Sequence, residues 1–96
     1  MKEVKRILID TGCKSCKTKQ TVLEANFPFD IMNLQYLLNS GYTTSKSYQN
    51  SGILLVEDHD IIATGAIGGN KLRIQCKNNK CEEGIGKLEE LIKNMP

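Results

Sequence analysis

The sequence predicts a small α/β domain: a four-stranded mixed sheet in the order β-α-β-α-β-β-α, with helices on both faces. Three observations predict it. The first half alternates short apolar runs with polar stretches, residues 52–65 hold a hairpin pattern, and the last sixteen residues carry an amphipathic stripe. Strand–helix–strand units give parallel pairs, and a hairpin adds an antiparallel pair beside them. At 96 residues the chain is expected to be one domain, 1–96, with one core and no linker.

The elements follow in order. "VKRILI" (4–9) mixes β-branched and aliphatic residues before the turn cluster Asp10-Thr11-Gly12, which reads as a buried strand. "KSCKTKQTVLEAN" lacks Gly and Pro, and Cys16, Val22 and Leu23 share a face at helical spacing, so a helix is expected from near Cys13 to Asn26. "FPFDIMNL" (27–34) alternates as a second strand, with Pro28 at its start, where a missing N–H does least harm. Leu34, Leu37 and Leu38 form a helical stripe stopped by Ser40-Gly41, and the polar 43–52 stretch reads as a loop.

"GILLVEDHDIIATG" carries the clearest hairpin signal: strands 53–56 and 61–64 flank Glu57-Asp58-His59-Asp60. Gly65, Gly68 and Gly69 punctuate its exit, and Asn70 is a fitting N-cap for "KLRIQCK". In "CEEGIGKLEELIKNMP", Ile85, Leu88, Leu91, Ile92 and Met95 share one face. Glu82 and Glu83 suit the first turn and Lys93 the last. Glu83–Lys87 and Glu89–Lys93 are expected as i,i+4 pairs, while Gly84 and Gly86 weaken the helix start.

Composition narrows the function classes. The chain is 40% hydrophobic and 25% charged, ordinary for a globular protein, and with five aromatics and no Trp its core must be mostly Ile, Leu and Val. Thirteen basic residues nearly balance 11 acidic ones, and a net charge of +2 does not indicate nucleic-acid or membrane binding. No stretch approaches the roughly 18 apolar residues of a membrane span. "MKEVKRILID" does not read as a signal peptide, so a cytoplasmic protein is expected. In that compartment four cysteines point to catalysis or metal binding rather than structural bridges.

The chemistry concentrates in "TGCKSCKTK". A thiolate is the nucleophile of disulfide exchange, and a cysteine at a helix start beside Lys14 and Lys17 gains thiolate character. Cys13 is then the attacking sulfur and Cys16, one turn on, the resolving one. A metal reading competes with it. Cys13, Cys16, Cys76 and Cys81, spaced C-x2-C and C-x4-C, fit a tetrahedral zinc site, with "KLRIQC" as a strand and "CKNNKC" as a knuckle. Cys76 is otherwise a small buried hydrophobe and Cys81 a free thiol, or the two form an auxiliary disulfide. His59 between two aspartates reads as an exposed turn residue, and Asp58 and Asp60 suit turn geometry. "GAIGGN" lacks the spacing of a nucleotide-binding loop, and the lysines lack the aromatic interleaving of a nucleic-acid surface.

Across nearly its whole length the chain resembles the thioredoxin/glutaredoxin superfamily. "ILIDTGCKSCK" resembles that family's first strand running into its C-x-x-C, and "GILLVEDHDIIATGAIGG" its hairpin and glycine turn. The resemblance implies a thioredoxin-like fold and dithiol–disulfide exchange by Cys13 and Cys16. It also implies substrate contacts at Lys14, at Gly68 and Gly69, and at Ser51-Gly52, which stand where the family has a cis-proline. The implied partners are a protein disulfide or glutathione adduct and an external reductant, with no cofactor. The alternative is a non-enzymatic zinc module that binds a protein or nucleic acid.

Overall fold

In the computed structural model, which describes residues 2–10, 19–44 and 51–95, the first two elements are strands. β1 (Val4–Asp10) and β2 (Lys19–Ala25) form an antiparallel pair from Val4 opposite Ala25 to Asp10 opposite Lys19. The helix expected up to Asn26 is therefore corrected over its described part. "KQTVLEA" places Leu23 and Ala25 on one strand face and Val22 and Glu24 on the other, and pairing with β1 buries Leu23 and Ala25. For so short an apolar run, helical and strand spacing cannot be separated without the partner strand.

The second strand expected over 27–34 is also corrected. Phe27-Pro28-Phe29 is irregular, and helix α1 (Ile31–Asn39) begins immediately after Asp30. The Asp30 carboxylate accepts from Asn33 N at 3.0 Å, and the Asn33 side-chain oxygen accepts from Asp30 N at 2.8 Å, a reciprocal cap that fixes the helix start. Ser40 and Gly41 end the helix as expected, Gly41 at φ 108. α1 buries Leu34 and Leu37.

The hairpin is present as β3 (Ile53–Glu57) and β4 (Ile61–Ala66), followed by β5 (Lys71–Cys76), so "KLRIQC" is a strand. Helix α2 (Cys81–Lys93) closes the chain, with Ile85, Leu88 and Ile92 buried. Glu89 does not wait for Lys93. Arg6 on β1 reaches both Glu82, at 2.6 Å, and Glu89, tying the helix across the sheet edge and raising the guanidinium's pKa through those two hydrogen bonds.

The sheet order is β1-β2-β5-β4-β3 and every pairing is antiparallel. This five-stranded antiparallel sheet with two helices replaces the expected four-stranded mixed, thioredoxin-like sheet. The cause is local: with β2 in the place of a crossover helix, no parallel pair can be made. Leu23, Leu72, Ile74, Ile61, Ala63, Leu54 and Val56 form the inner face, packed with Phe29 and the apolar faces of α1 and α2. On the outer face Glu24 bridges Lys5 and Lys71. Among the described residues no helix is long and apolar enough to cross a membrane.

Candidate functional site

β5 ends at Cys76 and α2 begins at Cys81, and the two cysteines form a disulfide with their Cα atoms 5.2 Å apart. Cys76 is exposed and Cys81 half-buried. Cys81 is the first residue of α2, whose N-cap, Lys80, makes no side-chain capping hydrogen bond.

The loop between the cysteines is fastened to the β3–β4 turn. Asn78 Nδ2 donates to His59 O and to Asp60 Oδ1, both at 3.0 Å, and Asn78 Oδ1 accepts from Lys80 N at 2.8 Å. Lys77 N donates to Asp60 O at 2.9 Å, and Lys77 Nζ to Asp58 O at 2.9 Å. The turn carries hydrogen bonds of its own. Asp58 Oδ1 accepts from Asp60 N and Ile61 N, the Asx geometry expected for "EDHD", and His59 is an exposed turn residue. Behind the turn lies Tyr42, 3% exposed, whose hydroxyl has no hydrogen-bond partner among the described residues. Burial, then Asp58 and Asp60, push its pKa up to about 12. Lys87 of α2 sits over the ring, 5.4 Å from its centroid.

Cys13, Cys16 and Lys14 lie outside the described residues, but both ends of their segment are described. Asp10 pairs with Lys19, and β2 pairs with β5 through Thr21 opposite Ile74. Continuing that register by two residues sets Lys19 opposite Cys76. Residues 10 and 19, which flank the first cysteine pair in the chain, therefore stand toward the sheet end that carries the second. The helix that an Asn70 N-cap implied for "KLRIQCK" is corrected: the segment is strand β5, which ends at Cys76, and Cys76 is exposed rather than a buried hydrophobe.

The predicted substrate contacts fall elsewhere. Gly52 O accepts from Ile67 N at 2.9 Å, Gly68 N donates to Phe29 O at 2.6 Å, and Gly69 O accepts from Phe29 N at 2.8 Å. Gly52, Gly68 and Gly69, with Ser51 beside them, thus sit where β3 begins and β4 ends, the end of the sheet opposite Cys76. Gly68, Gly69 and Asn70 line a shallow depression of 310 Å³ with Asn26, Phe27 and Pro28. Gly52 and Gly68 have φ of 74 and 91, so their type is accounted for by turn conformation.

Among the described residues no group of three or more His, Cys, Asp or Glu side chains is arranged to hold a metal. Sequence reasoning missed the contribution of Asn78 and Asp60. The pairing of an Asn-rich loop with an Asp-rich turn across 18 residues leaves no periodic trace. Comparison with protein-family models, with curated proteins and with solved structures found no match. Fold and site thus define a small antiparallel α+β domain with a disulfide joining its central strand to its last helix.

Proposed function

We propose that the protein is a thiol–disulfide oxidoreductase whose two cysteine pairs exchange with each other. Cys13 attacks a substrate disulfide, in a protein or a glutathione adduct, and one substrate sulfur leaves as a thiolate. Cys16 then attacks the mixed disulfide, so the second substrate thiol departs and Cys13–Cys16 is oxidised. The reduced Cys76 and Cys81 return that pair to the dithiol and take up the disulfide themselves. An external dithiol restores them: one of its thiolates attacks Cys76, the exposed residue of the pair, the electron pair of the broken bond leaves on Cys81, and its second thiolate then attacks the mixed disulfide and releases Cys76. Cys81 is the first residue of α2, and the positive end of a helix dipole favours a thiolate there. Each step trades one disulfide for another, and two electrons pass from reductant to substrate.

The observation that carries this reading is the Cys76–Cys81 bond, at the sheet end toward which residues 10 and 19 stand. Cys13 lies outside the described residues; among the described residues the cysteine at a helix start is Cys81. The setting we propose is the cytoplasm, where a lasting disulfide is redox-active more often than structural. Lys14 is retained as a substrate contact, because it stands between the two attacking sulfurs in sequence.

A second reading, zinc held by Cys13, Cys16, Cys76 and Cys81, is favoured by one observation. "KLRIQC" is the strand that a knuckle over 76–81 requires, and its end lies at the base of the hairpin. One preparation separates the readings. Protein purified under reducing conditions without chelator is analysed for zinc, its thiols are counted, and its reduction of a model protein disulfide by dithiol is timed. Exchange predicts no zinc, loss of four thiols on mild oxidation, and turnover above free dithiol that Cys13→Ser abolishes. Stoichiometric zinc with four protected thiols, or turnover no faster than free dithiol, would overturn it.

A further inference from the structure

The Cys76–Cys81 loop is held closed by more than its sulfur bond. We infer that Asn78 is a positioning residue, locking the loop onto the β3–β4 turn so that the two cysteines stay within bonding reach when reduced. The inference rests on the exchange reading for its purpose but not for its geometry.

Three observations on opposite sides of the loop carry it. Asn78 spends all of its side-chain valence here: two donors go to His59 O and Asp60 Oδ1 across the gap, and its acceptor goes to Lys80 N, the residue before Cys81. On the strand side Lys77 N donates to Asp60 O, so the β4–β5 pairing continues one residue past Cys76. On the helix side Gly84 presses the first turn of α2 against the same turn. A Cβ there would lie 3.0 Å from Asp60 Cβ and 3.1 Å from Ile61 Cγ2, a distance only glycine tolerates without displacement. Strand end, loop and helix start are therefore each referenced to Asp60 and its neighbours. None of these contacts uses a sulfur atom, so reduction breaks none of them directly.

The consequence is a dithiol of high effective concentration. A loop that springs open on reduction has to pay closure entropy at each cycle, whereas a clamped one does not. Asn78→Ala removes the clamp while leaving both cysteines and the strand-side bond in place. Asp60→Asn keeps an Oδ1 acceptor for Asn78 and serves as the conservative partner.

The test is redox equilibration of the full chain with glutathione, in a Cys13→Ser/Cys16→Ser background so that one pair titrates, with thiols quantified by alkylation. The expected result is that Asn78→Ala lowers the effective concentration of the pair about fivefold, ~20 mV for a two-electron couple, and that Asp60→Asn leaves it near the parent value. Urea unfolding of the fully reduced proteins distinguishes a merely structural role, which would lower the midpoint and leave the equilibrium with glutathione unmoved. An unmoved equilibrium in Asn78→Ala overturns the inference and leaves the exchange reading standing. Failure of the parent pair to form a disulfide at any glutathione ratio overturns both.

Discussion

Breaking the Cys76–Cys81 bond should destabilise the fold by an amount that the chain length of its loop sets. The closed ring runs from Cys76 to Cys81, a sequence separation of 5. For a ring of six residues the chain-entropy relation gives about 2 kcal/mol at 25 °C. Short rings give the least, because the unfolded chain already visits closed conformations often. The clamp through Asn78 keeps the native loop in the same shape with or without the bond, so the reduced native state gains no compensating freedom. For a domain of this size ~2 kcal/mol corresponds to a fall in Tm of roughly 10 °C, and in urea to about 1 M in midpoint. The assay is urea unfolding followed by circular dichroism, with and without excess dithiol, in the Cys13→Ser/Cys16→Ser background. Coincident midpoints in the two conditions would refute the reasoning, since a bond absent from the folded state cannot stabilise it. A loss well beyond ~4 kcal/mol would refute it differently, by showing that the loop and α2 unravel once the bond is cut.

Two further outcomes follow from the packing. Gly65→Ala and Gly86→Ala should have opposite signs: a Cβ at 65 would overlap Lys71 O and lie 3.0 Å from Leu72 Cδ2, forcing β4 from β5, while a Cβ at 86 meets nothing. The unfolding free energy from urea titration should fall by ~3 kcal/mol or more for the first and rise by up to ~1 kcal/mol for the second; equal effects would contradict the placement of β4 against β5. The Tyr42 hydroxyl titrates near 10 when unfolded and is raised to about 12 in the fold, so the native state holds its proton longer. Its stabilising share is complete below pH 10 and disappears as the pH climbs from 10 to 12. Tyr42→Phe should flatten that stretch of the stability–pH curve and, by removing a buried hydroxyl without a partner, cost less than ~1 kcal/mol at pH 7; an unchanged slope would show that another group is responsible.

Elements whose signals are self-contained were legible in the chain. The 52–65 hairpin needs only two aliphatic runs about a turn whose Asp58 caps its own backbone, and α2 needs only its apolar stripe and end charges. β1 was legible as a strand for the same reason, but not as a buried one: it lies at the sheet edge, with Leu8 61% exposed. The segments misjudged were those that depend on a distant partner. "KQTVLEA" is a strand because β1 and β5 flank it, and "FPFDIMNL" yields to a helix because Asp30 and Asn33 cap one another, a signal outweighed by the apparent alternation. The thioredoxin-like order rested on both errors, and it fell with them.

The sequence by itself determined where the four cysteines stand along the chain, in two close pairs at 13/16 and 76/81. Only the tertiary structure decided which sulfurs meet. Sheet register is set by pairings between residues tens of positions apart, and it sets residues 10 and 19 toward the sheet end where β5 finishes. It sends the glycines at 52, 68 and 69 to the far end, more than 15 Å away along strands that rise about 3.3 Å per residue. Spacing along a chain constrains neighbours on one element; which ends of separate elements coincide is settled by the burial of a shared core, and that has no local signature.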